Sequence, residues 1–97
     1  MSPEGSSGPR FALGQTVATP GALATLTESG ERPEPFLVRH ERGDWGEVPS
    51  EDARANERAL RDGTRILSAY RTSAGVKFWV ITEADRSATT LLLPEEY

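Results

Sequence analysis

Hydrophobic and polar residues alternate most regularly in the last third of the chain, residues 65–97. Residues 65–71 show the two-residue period of a half-buried strand, and residues 76–82 are apolar on both faces of an extended chain. Residues 87–93 form a third strand-like run that ends at Pro94. Short polar segments separate the three runs and are typical of hairpin turns. The pattern therefore predicts three consecutive antiparallel strands, with residues 76–82 in the central one.

Three short helices are predicted before these strands. The first begins with Thr19 as its N-cap and Pro20 in its first turn, and it stops before Gly30. The second spans residues 36–42, and the third begins at Ser50 and continues to about residue 61. Their large apolar residues are few, so we expect each helix to bury one narrow stripe.

Residues 11–18 predict a further strand, weakened by Gly14 in its interior. The whole pattern indicates an α+β fold: a three- to four-stranded antiparallel sheet with short helices packed on one face, forming a single domain over residues 11–97. Residues 1–10 are rich in proline, glycine and serine, and we expect them to form a flexible N-terminal tail.

Composition narrows the possible functions. The 97 residues include no cysteine, so disulfides and thiolate metal sites are excluded. The net charge of −4, with acids and bases interspersed, argues against a nucleic-acid-binding protein. No apolar run is long enough to span a bilayer, and the N-terminus lacks the pattern of a signal peptide. We expect a soluble cytoplasmic protein with no membrane contact, no metal and no cofactor.

From about residue 13 to residue 97 the chain resembles a family of small bacterial proteins carried on plasmids and other mobile elements, usually labelled plasmid-related and sometimes as a type I restriction subunit M. The segments that carry the resemblance are LGQTVATPGAL, RHERGDWG, ANERAL, RILSAY and KFWVITEADRSATTLLLPEEY. The resemblance supplies no catalytic residues. It implies a genetic setting in which anti-defence proteins, toxins and regulators are common.

Few single residues suggest chemistry. His40 is the only histidine and lies four positions before Asp44, but Gly43 should end the helix between them. Trp45 lies in a glycine-flanked loop, where it is either a plug for a small core or an anchor for a partner. The sequence leaves both roles open, with the plug favoured.

The turn at residues 83–86 contains Glu83, Asp85 and Arg86. It is either a solvated turn with an ion pair or a recognition loop displayed by a rigid sheet. Residues 76–82 are apolar on both faces, while the helices that could cover them are short. We therefore expect one face of the sheet to be under-covered at Trp79, Ile81 and Leu92, where a partner or a second copy of the chain could bind.

We accordingly expect a non-enzymatic mobile-element protein that binds a host or defence-system protein, most concretely an anti-CRISPR or antirestriction inhibitor. The candidate partner-binding residues are Asp44, Trp45, Trp79, Glu83, Asp85 and Arg86.

The alternative is a toxin ribonuclease, because the element order is similar to that of RelE-like and BrnT-like toxins. Basic residues on the sheet would then bind the scissile phosphate, and Tyr70, Glu83 or His40 would move protons. The basic residues are Arg65, Arg71, Lys77 and Arg86.

Overall fold

The structure, a computed structural model, describes residues 8–97, so residues 1–7 of the predicted tail lie outside it. A strand and three helices are followed by three strands and a short 3-10 turn, which makes the fold α+β, as predicted. The elements are β1 (Gln15–Ala18), α1 (Pro20–Glu28), α2 (Pro33–Glu41), α3 (Ser50–Asp62), β2 (Ile66–Arg71), β3 (Lys77–Thr82), β4 (Ala88–Leu92) and the turn Pro94–Glu96.

The four strands form one mixed sheet in the order β1-β4-β3-β2. β2, β3 and β4 are antiparallel neighbours, as predicted, with Ala69 beside Trp79 and Trp79 beside Leu92. β1 runs parallel to β4, with Val17 beside Thr90, so the prediction of an entirely antiparallel sheet is wrong for this strand. No hairpin fixes the direction of β1 relative to β4, and side chains alternate in the same way in either direction.

The helix ends follow from local capping chemistry. Thr19 Oγ1 accepts a hydrogen bond from the N–H of Ala22 at 3.2 Å, and Pro20 lies in the first turn of α1. α2 begins at Pro33 rather than at the predicted residue 36, because a proline in the first turn gives up no intrahelical hydrogen bond. α3 ends at Gly63, whose φ of 72° lies in the left-handed region.

The helices pack on one face of the sheet, which we call the helix face. α1 and α2 share the larger buried cluster with β2, β3 and β4, and α3 shares a smaller cluster with β2. The larger cluster contains Ala22, Leu26, Phe36, Leu37, Tyr70, Phe78, Val80 and Leu91. The smaller one contains Trp45, Ala59 and Ile66. Side chains alternate along each strand, so the residues between these lie on the opposite face, which we call the open face. The open face consists of Leu67, Ala69, Arg71, Lys77, Trp79, Ile81, Thr90 and Leu92.

The outer edge of β2 is covered by a helix side chain and a loop. Asn56 Nδ2 donates to the carbonyl of Leu67 at 2.7 Å, and Asn56 Oδ1 accepts from the N–H of Leu67 at 3.1 Å. Farther along, Ala69 donates to the carbonyl of Trp45 at 3.0 Å and accepts from the N–H of Glu47 at 2.7 Å. The outward backbone groups of Leu67 and Ala69 are therefore satisfied without another strand.

Candidate functional site

A row of buried polar side chains crosses the helix face from β2 to β4. His40 Nδ1 lies 2.5 Å from Ser68 Oγ, and His40 Nε2 lies 2.9 Å from Thr82 Oγ1. Thr82 Oγ1 is 2.7 Å from Thr89 Oγ1, which donates to the carbonyl of Leu13 at 2.7 Å. The histidine, the serine and both threonines are completely buried.

The last hydrogen bond of this row fixes the direction of the others. Thr89 gives its proton to a carbonyl oxygen, so it must accept from Thr82, and Thr82 must accept from His40 Nε2. Because burial keeps the ring neutral at pH 7, Nδ1 then accepts from Ser68, and His40 is the tautomer protonated on Nε2. Burial, with a smaller contribution from the charge of Arg86, lowers the pKa of His40 to about 4. The hydrogen bonds of His40 join α2 to β2 and β3. His40 and Ser68 have no solvent-accessible surface, so this connection lies inside the core.

Asp44 closes the turn after α2 and is hydrogen-bonded to Arg39 rather than to His40. Its Oδ2 accepts from Arg39 Nε at 2.7 Å, and its Oδ1 accepts from the N–H of Gly46 at 3.2 Å. Its carbonyl accepts from the hydroxyl of Tyr70 at 2.6 Å. The hydrogen bond from Arg39 lowers the pKa of the Asp44 carboxyl. Asp44 thus ties the turn to α2 and β2.

Trp45 lies in the smaller cluster, where it is 7% exposed and stacks beside Phe11 with ring centroids 6.2 Å apart. Its indole N–H donates to Glu57 Oε2 at 3.1 Å, and Arg10 pairs with Glu57 Oε1 at 2.8 Å. Hydrogen bonding to Arg10 lowers the pKa of the Glu57 carboxyl. The indole therefore acts as a core plug, which leaves little of its surface for a partner.

The turn between β3 and β4 displays two of its three candidate residues. Glu83 and Asp85 are exposed, and a hydrogen bond from Ser87 lowers the pKa of Asp85. Arg86 instead turns towards the end of α3 and donates to the carbonyls of Thr64 at 2.7 Å and Ala59 at 3.0 Å. A cation at this position complements the carbonyl end of the helix. Arg86 therefore joins the turn to α3.

Trp79, Ile81 and Leu92 are the three open-face residues predicted to be under-covered, and Trp79 keeps the most accessible surface of the three. The ring of Tyr97 lies edge-on to Trp79, with centroids 5.8 Å apart, and Arg65 donates to the Tyr97 hydroxyl at 2.5 Å. Ile81 and Leu92 are 4% and 7% exposed, so the under-covered region is narrower than expected. It lies around Trp79, which is half-buried.

A shallow groove of about 320 Å³ lies beside Trp79, between the open face and the loop that precedes α3. Its floor is apolar, and its rim carries charges of both signs. It is lined by Glu47, Val48, Pro49, Asp52, Leu67, Ala69, Lys77 and Trp79. The sequence does not reveal the contribution of residues 47–49, because their approach to β2 is a long-range contact with no local pattern.

The basic residues of the ribonuclease alternative are distributed over different parts of the molecule. Arg71 and Lys77 are neighbours on adjacent strands, and Arg71 Nε pairs with Glu47 at 2.7 Å. Arg65 contacts Tyr97, while Arg86 caps α3. The proposed proton-moving groups do not join them, because Tyr70 and His40 are buried on the helix face and Glu83 lies in the exposed turn.

Comparison of the chain with models of known protein families, with curated proteins and with solved structures finds no match. Residues 8–97 hold no group of three or more histidine, cysteine or carboxylate side chains arranged to bind a metal ion. None of the helices in that range combines the length and apolarity needed to cross a membrane.

Proposed function

We propose that this protein is a non-enzymatic binding protein that docks on another protein through the open face of its sheet. The observation that carries the proposal is Trp79, a half-buried indole beside a groove with an apolar floor. Protein interfaces commonly centre on an aromatic anchor surrounded by a polar rim. Lys77, Glu47 and Asp52 provide such a rim here.

The charges of the rim give the docking surface an orientation. Lys77 is exposed at one end of β3, beside the ion pair of Arg71 with Glu47, and Asp52 lies in the first turn of α3. An acidic group of the partner would be attracted to Lys77 and repelled from Asp52. The partner therefore needs an apolar side chain for the groove and an acidic residue on the Lys77 side.

The more specific form of the proposal is an anti-defence inhibitor of the anti-CRISPR or antirestriction type that acts in the cytoplasm. Its support is the resemblance to plasmid-related proteins, because an inhibitor of host or rival defence is useful to a mobile element. An inhibitor of this kind needs only to occupy a surface, so it requires no catalytic group.

The test is protection of phage and plasmid DNA in bacterial hosts that each carry one restriction or CRISPR system. The chain should raise plating or transformation efficiency with one system, and Trp79→Ala and Lys77→Glu should each lower that protection at least tenfold. Val38→Ala changes an apolar residue that is 36% exposed on α2 and serves as the matched control, with protection unchanged.

Thermal unfolding of each variant establishes that it is folded. Equal protection by folded Trp79→Ala protein would overturn the role of the open face. Cleavage of RNA by the purified chain, lost in Arg65→Ala/Arg71→Ala, would overturn the non-enzymatic proposal in favour of the toxin alternative. Failure to protect against any system would leave the anti-defence form without support. The general docking proposal would then be tested by the binding of a purified partner to the open face.

A further inference from the structure

The two edges of the sheet are treated differently. The outer edge of β2 is covered by Asn56 and by residues 45–47, whereas β1 is the outermost strand on the opposite side. The N–H groups of Gln15 and Thr19 donate to the carbonyls of Ser87 and Leu91 at 2.9 Å each. Because backbone groups alternate in direction along a strand, those of Thr16 and Ala18 point away from β4.

These outward groups are available for pairing. Among the backbone hydrogen bonds outside the helices and the sheet ladder within residues 8–97, none uses a backbone group of Thr16 or Ala18. β1 also lacks the usual protection of an edge strand, since its sequence Gln-Thr-Val-Ala contains no charge and no proline. Val17 in its centre is 44% exposed. The edge is therefore a ready template for one more strand.

A groove of about 230 Å³ runs beside this edge on the helix face. β1 forms one wall and the first turns of α2 form the other. It is lined by Thr16, Val17, Ala18, Pro33, Glu34, Leu37 and Leu91. An extended chain added to β1 would point every second side chain into this groove, because side chains alternate between the two faces of a sheet. Leu37 and Leu91 suit an apolar side chain there, and exposed Glu34 suits a cation.

We infer that β1 is a strand-addition site for an extended segment of a partner protein, with an apolar and a basic residue two positions apart on the groove side. Backbone hydrogen bonds to Thr16 and Ala18 provide affinity, and the groove provides selectivity, as in other cases of strand addition. This edge and the groove beside Trp79 lie at opposite sides of the sheet, so the inference does not depend on the proposed function.

A second copy of the chain fits this edge less well. Antiparallel pairing of two β1 strands would place Thr16 and Ala18 of one copy along the groove of the other, and both side chains are small. They would leave much of the groove empty and would offer no cation to Glu34. A four-residue strand also buries little area compared with the roughly 800 Å² per partner of a stable interface.

The test uses the full chain and two capped peptides, Thr-Val-Thr-Lys-Thr-Val-Thr and the same sequence with glutamate in place of lysine. Binding followed by NMR should slow amide exchange at Thr16 and Ala18 with the lysine peptide, whose affinity should exceed that of the glutamate peptide at least tenfold. In Glu34→Lys protein the preference should reverse. Glu28→Lys changes an exposed acid at the end of α1 and should leave it unchanged.

Three results would overturn the inference. One is unchanged exchange at Thr16 and Ala18 with both peptides, and another is the same peptide preference in wild-type and Glu34→Lys protein. The third is a dimer of the free chain in sedimentation experiments that disappears in Thr16→Pro, since this would assign the edge to a second copy. Lysine peptides N-methylated along the backbone should fail to bind, which separates strand addition from simple charge attraction.

Discussion

At the scale of single residues, His40 couples the stability of the fold to pH. Its ring nitrogens contact Ser68 of β2 and Thr82 of β3, and the rings of Phe11 and Trp45 lie edge-on to it at centroid distances of 5.1 and 6.1 Å. None of these groups carries a negative charge, and the nearby charge of Arg86 is positive. A proton added to the buried ring is therefore not compensated.

Acidification below pH 6.5 should destabilise the protein through His40. The pKa of His40 is about 4 in the folded state and 6.5 in the unfolded chain, so the unfolded state binds the proton first. Between these values the free energy of unfolding should fall by roughly 1.4 kcal/mol per pH unit as the pH decreases, for a loss on the order of 3 kcal/mol. Urea unfolding at pH 7, 6 and 5 measures this slope.

The control for this prediction is His40→Gln. The variant should be less stable at pH 7 by about 2 to 3 kcal/mol, because ring packing and the contact with Ser68 or Thr82 are lost. Its stability should nevertheless change little between pH 7 and 5, since no histidine remains. A flat wild-type profile, or an equal slope in the variant, would contradict the assignment of the slope to His40.

At the scale of elements, Asn56 allows a helix to take the place of a strand. Replacing this 4% exposed side chain with leucine should leave the N–H and carbonyl of Leu67 without partners, at a cost of about 2 to 4 kcal/mol. Amide exchange at Leu67 should accelerate together with the loss of stability. Ala55→Leu adds the same side chain at the exposed neighbouring position and should change neither quantity. Continued protection of Leu67 in Asn56→Leu would show that the edge is covered by other contacts.

Local signals predict the elements better than their arrangement. The Thr19-Pro20 pair locates the start of α1, and the apolar runs separated by polar turns locate β2, β3 and β4 to within one residue at each end. The direction of β1 is not encoded locally, because its partner β4 is distant in sequence. The role of Asn56 is hidden for a related reason, since a polar residue on a short helix normally faces solvent.

The candidate site shows the same contrast between what local patterns predict and what long-range packing determines. The apolar pattern of residues 76–82 predicts that β3 is apolar on both faces, and it indicates Trp79 correctly as a residue of the face opposite the helices. The sequence cannot show that Tyr97 covers part of that face, and it favours a core position for Trp45 without excluding an exposed one. Both depend on how distant segments pack, for which a single sequence carries no periodic signal.

At the scale of the whole molecule, one carboxylate connects the C-terminal turn to the first helix. Glu96 Oε1 accepts from the Thr19 hydroxyl at 2.5 Å and from the N–H of Leu93 at 2.8 Å, while Oε2 accepts from the N–H of Gly21 at 3.1 Å. Hydrogen bonding, chiefly from Thr19, lowers the pKa of this carboxyl. The adjacent residue, Tyr97, is the aromatic cover of the open face, so this connection positions that cover.

Loss of the Glu96 charge should therefore uncover Trp79 while the rest of the fold persists. In Glu96→Gln, amide exchange at Leu93 and Gly21 should accelerate, and the fluorescence of Trp79, measured in a Trp45→Phe background, should shift to longer wavelength. Glu95→Gln alters an exposed acid one position earlier and should have neither effect. Because the folded pKa of Glu96 is lowered, the connection should be complete above pH 4.5 and be lost as the pH falls through the lowered value. Unchanged exchange at Leu93 in Glu96→Gln would mean that packing of Tyr97 on Trp79 holds the turn by itself, and Tyr97→Ala should then produce the fluorescence shift instead.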